Sequence, residues 1–226
     1  MKKILAILIF LPLFTFGQQY NSEVMQQMKE LALQQIKQLH DGCLLVRLPQ
    51  NKLAVKALVK AGKTATAEKL KSDLNKMNHN IVTAFNSYFD FCPVYYFYAE
   101  HSDSILNKNF SGIILDSNFQ IIEAPLLMEK KFFVVEICKT VPDTLMLRDS
   151  YKYRGTNSDE EIKKKIYYEA CSNHMNSLVI KSDRFIQLSK PFPFKKNILF
   201  TDGMPKAKKI KRAVNKINAK LYNYYQ

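Results

Sequence analysis

The sequence of 226 residues has no glycine-rich phosphate loop, no Gly-x-Ser-x-Gly elbow and no His-Glu-x-x-His pair. These absences remove the usual signatures of nucleotide binding, serine hydrolysis and zinc hydrolysis. Cysteine is confined to Cys43, Cys92, Cys138 and Cys171, and no two are spaced Cys-x-x-Cys. That excludes the common dithiol redox signature and the zinc knuckle. No cofactor or metal is expected from any motif. Arginine is scarce: of 34 basic residues only Arg47, Arg148, Arg154, Arg184 and Arg212 carry a guanidinium. Sequence-specific nucleic-acid sites favour its planar fork, so specific nucleic-acid binding is not expected. Glycine numbers only 6 while hydrophobic residues make up 47%. This is the composition of a chain that buries a core, not of a disordered one.

After residue 16 there is no long apolar run. Before it, Lys2 and Lys3 precede Ile4–Phe16, an apolar stretch of 13 residues, and Thr15-Phe16-Gly17 offers small residues at the two positions a signal peptidase reads. A spanning helix needs about 20 apolar residues. Residues 1–17 therefore read as a signal peptide, with an uncleaved N-terminal anchor as the alternative. No cysteine follows the run, so a lipid anchor is not expected. Residues 18–226 are expected to form one exported mixed α/β domain, periplasmic or secreted.

The formal charge is +14, and much of it is local: residues 190–226 hold ten Lys or Arg against one acid, Asp202. Such a patch attracts phosphates, anionic lipid or acidic glycans over long range. Its candidate anion-binding residues are Lys206, Lys208, Lys209, Lys211, Arg212 and Lys216. The alternative is a solvated basic face. Four cysteines in an exported chain allow three full disulfide pairings, and spacing does not choose among them.

Apolar spacing predicts a helix over 22–40, followed by Gly42 and a buried strand at Cys43–Leu48. A long helical region follows from Asn51 to Phe89, which Gly62 interrupts or kinks. Ala67, Leu70, Leu74, Met77, Ile81, Ala84 and Tyr88 form its seam, widened by Val82, Phe85 and Phe89. The seam suits either intramolecular docking or a coiled-coil partner. Strands are expected at Pro93–Ala99, Gly112–Leu115, Phe119–Ile122, Phe132–Cys138, Leu178–Ile180, Phe185–Leu188 and Ile198–Phe200, and a helix at Asp159–Ala170. IILDSNFQII and LVIKSDRFIQL read as two equivalent hairpins with turns at Asp116-Ser117-Asn118 and Ser182-Asp183. Pro205 opens a last helix whose apolar face is Ala207, Ile210, Val214, Ile217, Leu221 and Tyr224. It is expected either to dock on the sheet or to lie on a membrane surface. The fold class is α/β: a central mixed sheet with hairpins, long N-terminal helices and a closing C-terminal helix, in an order loosely like the thioredoxin arrangement. Residues 18–90 are mainly helical with one strand, and 91–226 are strand-rich.

At Phe89-Asp90-Phe91-Cys92-Pro93-Val94-Tyr95-Tyr96-Phe97 the chain resembles a set of uncharacterised exported bacterial proteins in which a similar F-D-F-C-P-V-Y-F-F stretch follows a long Lys-rich helix. The resemblance extends from Leu44 to Pro191-Phe192-Pro193-Phe194. It implies export and a shared architecture, and it carries over no catalytic residue.

Two places could hold chemistry. Glu100, His101, Ser102 and Asp103 follow a strand, where ligand sites of open α/β sheets gather, and a histidine beside carboxylates suits acid–base work. Equally, they suit a polar loop in which Ser102 or Asp103 caps a short helix. Cys92 could serve as a nucleophile if a helix N-terminus or a cation lowered its pKa, and otherwise is a buried thiol or half of a disulfide. Glu136 interrupts an apolar strand and by alternation is expected to face solvent. The remaining histidines, His40, His79 and His174, stand alone. The best overall expectation is a non-enzymatic exported protein that binds something or supports the envelope. The alternatives are a thioredoxin-like thiol enzyme using Cys92 and an anionic-surface binder using the C-terminal helix.

Overall fold

Strand β1 (Cys43–Leu48) is apolar at almost every position because both of its faces are covered, as central parallel strands require. In the computed structural model, which describes residues 25–123, 126–140, 176–198 and 204–226, β1 lies in a five-stranded sheet. The others are β2 (Val94–Tyr98), β3 (Phe132–Lys139), β4 (Asn176–Lys181) and β5 (Lys195–Asn197), in the order β2-β1-β3-β4-β5. β2 and β3 run parallel to β1, and the pairs β3–β4 and β4–β5 are antiparallel. The expected mixed α/β sheet is thus present. The leader, the helix expected at 159–170, Cys171 and His174 lie outside the described residues.

Leu44, Val46 and Leu48 point to one face of the sheet, where they join Phe133 and Val135 of β3. Among the described residues three helices cover that face: α1 (residues 25–41), α3 (Thr64–Tyr88) and α6 (Ala207–Tyr225). Ile36 and Leu39 of α1, Ile81 and Phe85 of α3, and Val214 and Ile217 of α6 are buried against it. Cys43, Leu45, Phe97, Phe132 and Val134 point the other way. There they meet Ile105 of α4 (Ser102–Leu106), Leu127 of α5 (Leu126–Glu129) and the loop residues Phe110 and Ile114. Each fully buried side chain of this kind stabilises the fold by about 1.5–3 kcal/mol.

Gly62, at φ 73°, ends α2 (Lys52–Lys60) outright, so the long helical region is two helices. α3 buries Ala67, Leu74, Met77, Ile81 and Ala84 of the expected seam together with Val82 and Phe85. Leu70 is only half-buried and Tyr88 is 40% exposed. The seam packs within the chain, along α6. α6 likewise docks, burying Ile210, Ala213, Val214, Ile217 and Leu221. Asn218 Nδ2 donates to Asp90 at 2.8 Å, and the Tyr222 hydroxyl donates to the Asp90 carbonyl at 3.2 Å. Except for Tyr224 at its end, the apolar face of the helix is therefore packed inside the protein and does not lie free to rest on a membrane.

Three strand expectations need correction. Residues 112–115 and 119–122 make only single bridges, Leu115 with Ile121 and Leu115 with Tyr96, and 185–188 makes only the bridge Lys181–Gln187. The last strand among the described residues is Lys195–Asn197, set by pairing with Ser177–Val179, and the strand expected at Ile198–Phe200 lies outside the described residues except for Ile198. The two turns do match. Asp116 Oδ1 accepts from the amides of Asn118 and Gln120, and Ser182 Oγ accepts from the amides of Arg184 and Ile186. In each, a phenylalanine takes the left-handed conformation, Phe119 at φ 62° and Phe185 at φ 59°.

Gly42 joins α1 to β1 at a point where no side chain fits. A Cβ there would lie 2.0 Å from the Lys131 carbonyl oxygen and 2.7 Å from that of Gln38. Backbone cannot yield as a flexible side chain can, so Gly42→Ala is expected to cost at least about 2 kcal/mol in denaturant unfolding. Gly112→Ala, which meets open space, should cost about 1 kcal/mol through its positive φ. Equal stability of the two variants would mean the Gly42 contact is not tight.

Candidate functional site

The Glu100–Asp103 segment forms a short 3-10 turn (Ala99–His101) leading into α4, and its groups are taken up by neighbours. Glu100 pairs with Lys52 of α2, and His101 Nε2 lies 3.6 Å from its carboxylate. The hydrogen bond from Lys52 holds the Glu100 pKa below the ordinary carboxylate value. Neither Ser102 nor Asp103 caps α4: His101 occupies the N-cap position, and no side chain bonds there. Ser102 Oγ instead donates to the Ala99 carbonyl at 2.6 Å and accepts from Arg47 Nε at 3.0 Å. Asp103 faces solvent. Among the described residues no three His, Cys, Asp or Glu side chains converge as metal ligands.

Arg47 leads to a group that spacing did not reveal. Glu136 is 7% exposed, not solvent-facing as strand alternation suggested. It lies one step beyond the Val46–Val135 pair, beside Arg47, and is diagonal to Lys181, which pairs with Val134. Its carboxylate bonds both cations. Burial pushes the Glu136 pKa up, but the hydrogen bonds and charges of Lys181 and Arg47 outweigh it and hold the value below the ordinary 4.5. The Arg47 guanidinium also lies 6.0 Å from the centre of the Phe185 ring. Nothing in this cluster is left to react: it ties β1, β3, β4 and α4 together.

Cys92 is 8% exposed. Burial, followed by the charge of Cys43, pushes its thiol far above the ordinary value, the opposite of an activated nucleophile. Burial likewise raises Cys43 to about 12 and Cys138 to about 11. These three cysteines are unpaired.

The basic region is organised differently. α6 has no acid in its first turn, and its cations divide between two sides. Lys209, Arg212 and Lys216 turn toward β5, where with Lys196, Asn197 and Ile198 they line an open cleft of about 330 Å³. Lys206, Lys208 and Lys211 do not line it. Desolvation, then the charges of Lys216, Lys220 and Arg212, lower the Lys196 pKa. Among the described residues no acid lies within ion-pairing distance of Lys196, Arg212, Lys216 or Lys220. Lysines on an edge strand also discourage pairing with another chain, but that duty does not need Arg212 and Lys216 to converge from the helix. Lys196 was missed in the sequence because its place beside α6 depends on the register of β5. The adjacent pair Lys195-Lys196 was the available signal.

Two outcomes check this description. Glu136→Gln should destabilise by about 3–5 kcal/mol at pH 7, since two cations lose their shared partner. In the parent, the Glu136 contribution is fully present above pH 4.5 and is lost as pH falls through its lower folded value, readable in urea unfolding between pH 3 and 7. A parent whose stability lost as much on acidification as the variant's would show that Glu136 is not so held. Native Cys92 should resist iodoacetamide at pH 8 until denaturant is added, and rapid labelling in the folded state would refute its burial. No family model, no curated protein and no solved structure matches the chain.

Proposed function

We propose that this is an exported, non-enzymatic binding protein that takes anionic groups of the cell envelope onto its β5–α6 face. The observation that carries the reading is the convergence of Lys196, Arg212 and Lys216 on one cleft without an acid among the described residues. Cations gathered without an acid among the described residues favour the arrival of an anion, and desolvation, then the charges of Lys216, Lys220 and Arg212, lower the Lys196 pKa. The N-terminus of α6 adds a positive dipole end beside Lys209. Export rests on Lys2, Lys3 and the apolar run Ile4–Phe16, and the excess of lysine over arginine suits a phosphate surface read as charge rather than as a shaped fork. No observation favours thiol chemistry at Cys92.

The test is sedimentation with vesicles of anionic and of zwitterionic phospholipid. The parent should bind only the anionic vesicles and release them as salt rises. Lys196→Gln/Arg212→Gln/Lys216→Gln should keep the fold and lose roughly 100-fold in affinity, from about 1 kcal/mol per cation. Lys56→Gln/Lys60→Gln/Lys63→Gln on and beside α2 removes the same charge elsewhere and should lose far less. Equal losses would mean that net charge, not the cleft, does the binding.

A further inference from the structure

An apolar cleft of about 510 Å³ opens next to the cationic one, between the start of α1, the 190–195 segment and the end of α6. Phe192 and Phe194, 1% and 3% exposed, form its wall. Met25 and Tyr224 contribute apolar surface that is still 45% and 41% exposed. A smaller cleft of about 270 Å³ shares Met28 and Lys190 with it and continues along α1 toward Leu31 and Ile186. The volume is in the range of small-molecule sites, and the lining is of the kind such sites use.

The two clefts have no lining residue in common, and Lys195 of the apolar one and Lys196 of the cationic one, consecutive on β5, alternate between its faces, so the link between the clefts runs along α6. On α6, Arg212 and Lys216 line the cationic cleft, while Lys220 and Tyr224 line the apolar one. These four are spaced by four residues, so they form one row along the helix. From Arg212 to Tyr224 the row spans about 18 Å at 1.5 Å per residue. Its character changes from cation to hydrocarbon along its length, with Lys220 at the step between the two clefts.

We propose that this row holds one molecule of an anionic amphiphile, its phosphate in the cationic cleft and its alkyl chain in the apolar cleft. The proposal deepens the reading of the cationic cleft given above and rests on it. An alkyl chain suits the apolar cleft because it asks for no hydrogen bonds. The buried side-chain polar atoms without a partner among the described residues belong to Gln50 and Asn78, away from this cleft. Lys196, Arg212, Lys216 and Lys220, with no acid among the described lining residues, set the charge of the head.

The experiment is calorimetric titration of the purified protein, below the micelle concentration, with a single-chain acylglycerol phosphate, with glycerol phosphate and with the uncharged monoacylglycerol of the same chain. The acylglycerol phosphate should bind at least about 30-fold tighter than glycerol phosphate, which requires burying only a few methylene groups. It should also bind at least about tenfold tighter than the uncharged lipid, as loss of a desolvated charge contact predicts. Met28→Gln/Tyr224→Gln, checked for unchanged melting, should erase most of the chain's contribution and leave anionic-vesicle binding intact. If the chain adds nothing, or adds as much in that variant, the amphiphile proposal falls while the cationic cleft stands. If the uncharged lipid binds equally well, the proposal falls because the head is not read. If neither phosphate compound nor anionic vesicles bind, both readings fall.

Discussion

Docking of α6 is the constraint on which the rest depends. Its apolar stripe, Ile210, Val214, Ile217 and Leu221, is buried against the sheet and α3. Burial of that stripe, at about 1.5–3 kcal/mol for each large side chain, far outweighs the repulsion among exposed lysines in water. The helix can therefore tolerate a surface on which every charged group is a cation. Because its rotation is set by the core, which cations meet β5 is set as well. Positions 212 and 216 are carried to the strand edge, while 208 and 211 turn elsewhere. The charge pattern of the β5–α6 face is thus a by-product of how the helix satisfies its hydrocarbon.

The same logic shows why parts of the molecule were legible in the sequence and others were not. The seam of α3 and the stripe of α6 are periodic, and periodicity survives any tertiary arrangement. β1 and β3 were legible because strands buried on both faces must be continuously apolar. β5 was not, because Lys-Lys-Asn has no strand preference and is ordered by its partner. Glu136 was misjudged for a related reason. Its partners stand 89 and 45 residues away, and only sheet register brings Arg47 and Lys181 to its side. The cationic cleft was half legible: Lys209, Arg212 and Lys216 lie in the basic helix, whereas Lys196 needed the strand position.

The network at Glu136 and the cleft at Lys196 are opposite uses of the same chemistry. At Glu136 one carboxylate is shared by two cations, and the group is closed, braced by Ser102 and by the ring of Phe185. At Lys196 several cations converge and the balancing anion is not supplied by any described residue. The first cluster helps hold the fold together, and the second is the one on which the proposed anion binding rests. Nothing in the count of charges separates the two; the placement of a single acid does.

The paired turns have a consequence for how the chain reaches this state. A bulky residue in the left-handed region costs about 1–3 kcal/mol and persists only where its surroundings over-determine it. Phe119 is held by its ring against His79 at 4.6 Å, and Phe185 by its ring against Phe97 at 6.2 Å. His79 belongs to α3 and Phe97 to β2, so the two rings are seated on partners that must already be in place. In the unfolded chain the phenylalanine of each segment disfavours the left-handed conformation, although Asp116 and Ser182 favour the turn itself. The seating of each bend is therefore a long-range matter, decided on α3 and on β2 rather than within the turn. Contacts of this kind are expected on the downhill side of the folding barrier, where a loss speeds unfolding rather than slowing folding.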